Sequence, residues 1–167
     1  MKFKGVEIDG KLPAFVSLMK QEKFTIIQQT PDVAVMNGVF NGRDAYLYIY
    51  TTSTSHNVYY VAVVFEDSGK DWSNIWTLYS TYKDRLQTKY GLPTNQIEEN
   101  RCSYSQDDPL FAIEHDQAEY KTVYEGQGGS VVVSIINLRY PLGVQVSLGY
   151  IDAQNFAQNE AEVLEDL

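Results

Sequence analysis

"AYLYIYTTSTSHNVYYVAVVF" (residues 45–65) consists of two strand patterns around a polar turn, and both faces of the first strand are apolar or aromatic. Alternation places Ala45, Leu47 and Ile49 on one side and Tyr46, Tyr48 and Tyr50 on the other. One side belongs to a core. The other needs solvent tolerance, a partner or a ligand. Pairing of the two strands with the tyrosines on one face adds Tyr60 to the same ridge. Tyrosine is a good strand former that tolerates partial exposure. It also gives large, stiff, amphipathic contact area and is enriched where proteins meet. Tyr46, Tyr48, Tyr50 and Tyr60 are therefore the candidate binding residues.

Upstream, a short segment at Val6 to Ile8 and an Asp9-Gly10 turn lead to "LPAFVSLMKQEK", where Leu12, Phe15, Val16 and Met19 share one helical face. Pro13 sits near the first helical position, where its missing N–H costs nothing. The spacing predicts a helix over 12–23, then strands over 24–29, 33–40, 44–52 and 58–65. Asn41-Gly42 is a strong hairpin signal between the second and third of these.

Downstream, Asp71 is a good N-cap for "WSNIWTLYSTYKDRLQTKY", which places Trp72, Ile75, Trp76, Tyr79, Tyr82, Leu86 and Tyr90 on one stripe. Gly91 suits the left-handed cap, and Lys83, Arg85 and Lys89 lie where the helix dipole favours cations. A helix over 71–90 follows, its aromatic stripe packed on a sheet. Further strands are predicted near 96–104, 118–125, 130–137 and 143–151, and Asp152 can cap a last helix. In the final strand Val144, Val146, Leu148 and Tyr150 alternate with the small or polar Gln145, Ser147 and Gly149. "SQDDPLFAIEHDQ" suits a short helix or a long loop. The fold class is α+β, with helices on one face of an antiparallel sheet. The pattern of one helix and about four strands occurs twice, so a single domain over 1–167 contains two pseudo-repeats, 1–70 and 71–167.

Composition narrows the function. With 167 residues and 44% hydrophobic content the chain has ample material for a core. A net charge of −9 disfavours binding to phosphate backbones or anionic membranes. Nucleic acid and membrane insertion are not expected, the latter because no apolar run approaches about 20 residues. Cys102 has no second cysteine to bond with. His56, beside Ser and Thr hydroxyls, lacks the G-x-S-x-G elbow of a Ser-His hydrolase. Glu114, His115 and Asp116 lack metal-ligand spacing, and "NQIEEN" and "SQDDP" lack the calcium-loop pattern. Gly128-Gly129 precedes no helix, so it is a turn and not a phosphate loop. No catalytic residue, metal site or cofactor is expected.

Across most of its length the chain resembles a group of small, uncharacterised exported proteins of gut Gram-negative bacteria. The matching residues are "FKGVEIDG" at 3–10, "GVFNG" at 38–42, the helix ending "LQTKYGLP", "GYIDAQN" at 149–155 and the terminal "EDL". It departs at "KQEKFT", where the resemblance implies Gly before Phe24 and this chain has Lys23. The tandem pattern is also similar to the β-lactamase-inhibitor-protein fold, whose helices back a curved sheet with an open, protein-binding face. These resemblances imply a periplasmic or cell-surface protein whose signal peptide has been removed; the alternative compartment is the cytoplasm. The expected function is a non-catalytic envelope binding module that offers the tyrosine face to a protein or peptide. The alternative is a small-molecule carrier with a pocket between helix and sheet near Trp72 and Trp76.

Overall fold

Ala45, Leu47 and Ile49 are fully buried and Tyr46, Tyr48 and Tyr50 only partly so in the computed structural model, which describes residues 1–66, 71–102, 108–139 and 142–165. The chain opens with a small hairpin, β1 (Lys2–Phe3) and β2 (Val6–Glu7), followed by α1 (Leu12–Gln21). Next comes a run of four strands, β3 (Thr25–Gln29), β4 (Val33–Phe40), β5 (Arg43–Thr51) and β6 (Val58–Phe65). Helix α2 (Trp72–Tyr90) leads to β7 (Asn95–Asn100), a short α3 (Pro109–Glu114), β8 (Ala118–Gly126), β9 (Gly129–Asn137), β10 (Val144–Asp152) and α4 (Ala153–Glu165). The expected strand at 96–104 ends at Asn100. Residues 103 and 104 lie outside the described residues, as do 105–107 of the undecided segment, Pro141 of the expected turn and the last two residues.

Each element follows from local chemistry. Asn41 and Gly42 both have positive φ (52° and 79°), the two-residue turn whose twist matches the paired strands β4 and β5. Asp71 accepts the Asn74 N–H as the N-cap of α2, and Asp108 and Asp152 do the same for Phe111 and Asn155. Helix α1 ends in a paired cap, with Lys23 N–H bonded to the Lys20 carbonyl and Phe24 N–H to that of Met19.

The eight long strands form one antiparallel sheet in the order β3-β4-β5-β6-β10-β9-β8-β7. Two four-stranded meanders thus meet through their last strands, β6 and β10, paired from Val64↔Ser147 to Tyr60↔Ile151. Helices α1 and α2 lie on one face. Phe15, Val16 and Met19 of α1 join Met36, Leu47 and Ile49 in the core, and Tyr82 of α2 stacks on Phe65 with ring centroids 4.7 Å apart. Tyr79, fully buried, bonds through its hydroxyl to Thr122 (2.8 Å) and Glu98 (3.1 Å), and Glu98 also holds Lys83 at 2.6 Å. The α2 stripe differs from expectation in two ways. Leu78 is buried with Ile75, Tyr79, Tyr82 and Leu86, whereas Trp72, Trp76 and Tyr90 are only partly buried. Both indoles rest on Tyr120 of β8, at centroid distances of 5.0 and 5.9 Å, and are only partly buried.

Candidate functional site

The pairing of β5 with β6 sets the second face. Tyr46 lies opposite Val64, Tyr48 opposite Ala62 and Tyr50 opposite Tyr60, so the four expected tyrosines share one side of the sheet. Tyr50 and Tyr60 stack with centroids 5.5 Å apart and planes 20° from parallel. The register then shifts by one residue between Tyr50 and Thr51. This bulge turns Val58 into the core and leaves Tyr59 beside Tyr60, 6.3 Å between rings. Tyr59 in turn meets Phe156 of α4 at 6.1 Å. Tyr59 and Phe156 therefore extend the ridge. Strict alternation assigns Tyr59 to the opposite face, and Phe156 joins only because of where α4 docks.

Alongside the ridge runs a low floor. Ala62, Val64, Ser147 and Gly149 belong to this face yet are buried; Val64 and Ser147 are only 2% and 3% exposed. They are short side chains standing between the taller tyrosines of β5 and β6 and the half-buried Val132 and Ile136 of β9, which neighbour Gly149 and Gln145. Gly149 is needed at this spot, because a Cβ there would come within 2.8 Å of the Tyr60 ring. These small residues are closed to solvent, so what this face exposes is its aromatic wall.

The helix α4 pins one end of this wall through polar contacts. Buried Asn155 donates from Nδ2 to the carbonyls of Val58 (3.0 Å) and Ile8 (3.3 Å). Asn159 Oδ1 accepts the Ser53 N–H, and Glu162 Oε2 accepts those of Thr54 (2.8 Å) and Ser55 (3.2 Å). The Ser55 hydroxyl, and after it these N–H groups, hold the Glu162 carboxyl down to about 2.

The phenols are chemically quiet. Burial pushes Tyr60 up to about 12, aided by Tyr50 and Tyr59, and raises Tyr48 and Tyr50 as well. Tyr46 is raised by partial burial and by its 3.2 Å hydrogen bond to Glu66. All four stay protonated at neutral pH, able to donate and accept hydrogen bonds and to offer ring faces. The other candidates do not converge on them. His56 sits in the β5–β6 turn at positive φ, with Nδ1 3.0 Å from Asp32 Oδ1. His115 stacks on Phe111 and bonds the Phe111 carbonyl. Among the described residues no three His, Cys, Asp or Glu side chains gather in a metal-holding group, and no helix is long and apolar enough to cross a membrane. Compared with known protein families, curated proteins and solved structures, the chain matches none.

Proposed function

We propose that the protein is a non-catalytic binding module of the cell envelope that presents the face of Tyr46, Tyr48, Tyr50 and Tyr60 to a protein or peptide. The observation that carries this reading is the sharing of one sheet face by four stiff, partly exposed phenols, with Tyr50 and Tyr60 stacked 5.5 Å apart. An extended segment laid along the tyrosines finds ring faces and hydrogen-bonding phenols. The envelope location rests on the resemblance at 3–10, 38–42 and 149–155. The meeting of two meanders supports the tandem arrangement of 1–70 and 71–167 within one domain. The carrier alternative has less support, because Trp72 and Trp76 spend their inner faces on Tyr120 and on each other.

A random-peptide selection on immobilised protein, followed by nuclear magnetic resonance mapping of the enriched peptides, tests this. Ring signals of Tyr48, Tyr50 and Tyr60 should shift on binding. Enriched peptides that shift only residues on the helix-covered side, or a selection that enriches nothing, would count against the reading.

A further inference from the structure

A second feature lies on the opposite side of the sheet. The C-terminal half of α2 passes the β1–β2 hairpin and the β4–β5 turn, leaving an open cleft of about 380 Å³. Its rim carries four cations, Lys2, Lys4, Arg85 and Lys89, and no carboxylate lines it, although the whole chain has a net charge of −9. Its walls are the rings of Phe40, Tyr82, Tyr90 and Tyr150.

The four cations are not equally committed. Lys2 and Lys4 are paired with Glu7 (3.1 Å) and Glu22 (3.2 Å), both outside the lining. Among the described residues Arg85 and Lys89 have no carboxylate within ion-pairing distance. Each lies over a ring instead, Arg85 5.4 Å from the centre of Tyr82 and Lys89 4.9 Å from that of Tyr90. Four residues apart, they point along one side of α2. The helix dipole accounts for a cation in the last turn, where Lys89 stands. It does not account for Arg85 one turn earlier, nor for the convergence of Lys2 and Lys4 from a separate hairpin. Two cations without a carboxylate partner among the described residues, Arg85 and Lys89, thus face two paired ones, Lys2 and Lys4, around an aromatic-walled hollow.

We propose that this cleft binds a small amphipathic organic anion, with its carboxylate, sulfonate or phosphate between Arg85, Lys89 and Lys4 and its apolar body on Tyr82, Tyr150 and Phe40. The volume falls within the usual range of small-molecule sites, and a guanidinium suits the planar or tetrahedral head. The probe is 2-naphthalenesulfonate, titrated into the full chain while amide signals and the Arg85 Nε–H are followed by nuclear magnetic resonance. Shifts should centre on residues 2–5 and 82–90. The neutral analogue, naphthalene-2-sulfonamide, should bind at least about tenfold more weakly, and so should 2-naphthalenesulfonate to the Arg85→Gln/Lys89→Gln variant. Both substituted side chains are exposed, and a melting curve checks that the variant is folded. The separate Lys4→Gln variant should weaken binding in the same direction. Equal affinity for sulfonate and sulfonamide, equal affinity of wild type and double variant, or no shift at these residues would overturn the proposal. So would tighter binding of tetraglutamate than of the aromatic sulfonate in the same cleft, which would make the occupant an acidic peptide.

Discussion

Lys23 holds φ at +67°, a left-handed conformation in which a side chain is strained and glycine is not. It is the residue after the α1 cap, the position where helices most often place glycine, and the one where the resemblance implies glycine. Lys23→Gly should stabilise the protein by about 0.5 to 1 kcal/mol, since relief of the left-handed strain outweighs the extra freedom of unfolded glycine. A denaturant melt reads this directly, and a loss of stability would refute it. Glu162 makes a second prediction at this scale. Its folded-state value, about 2, lies below the 4.5 of an unperturbed carboxyl, so its contribution to holding α4 is complete above that ordinary value and fades as pH falls toward 2. The Thr54 and Ser55 amide signals should titrate with a midpoint near 2, and Glu162→Gln should abolish that titration. A midpoint near 4.5 would mean that the carboxylate is not held by the 53–55 turn. Nothing in the sequence announced this contact, because its partners are more than 100 residues apart and neither belongs to a motif.

Among the elements, α2 and the strands β4, β5, β6 and β9 lie within a residue or so of where periodicity places them, because long apolar repeats outvote local propensity. What periodicity did not supply was depth. A stripe names the residues that face the sheet, but how far each is covered depends on whether the sheet extends beneath it. Tyr79 lies under α2 fully buried with its hydroxyl satisfied, whereas Trp76 is only partly buried against Tyr120. Tyr79→Ala should therefore cost about 3 to 5 kcal/mol, and Trp76→Ala less than about 3, despite the larger side chain removed. Paired denaturant melts check the order, and a greater loss at Trp76 would show that the indole is core. The six-residue α3 is the short-helix reading of a segment that the sequence left open between helix and loop, because it is too short for a repeat to decide; its clearest sequence signal was Asp108 followed by Pro109. The bulge at Tyr59 escaped for a related reason: a one-residue shift is set by the partner strand and leaves no mark in alternation.

At the scale of the whole molecule, the β6–β10 pairing joins the two meanders and puts the tyrosine wall of one beside the small residues of the other. The wall and the floor were each legible, as Tyr46, Tyr48, Tyr50 and Tyr60 and as Gln145, Ser147 and Gly149. Their adjacency was not, because alternation within a strand does not name its neighbour in the sheet. The cleft cations were hidden likewise, since Lys2 and Lys4 meet Arg85 and Lys89 only after the hairpin folds against α2. The central claim is that the tyrosine face docks a partner and does not hold the fold together. Replacing Tyr46, Tyr48 and Tyr50 together with Ser separates these roles, since each change on a half-exposed strand face should cost no more than about 1 kcal/mol. The decisive measurement compares the melting curve of this variant, and its capture of partners from an envelope extract, with those of wild type. The account predicts a folded variant that loses partners held by the wild type; a folded variant that captures the same partners, or one that does not fold, would contradict it.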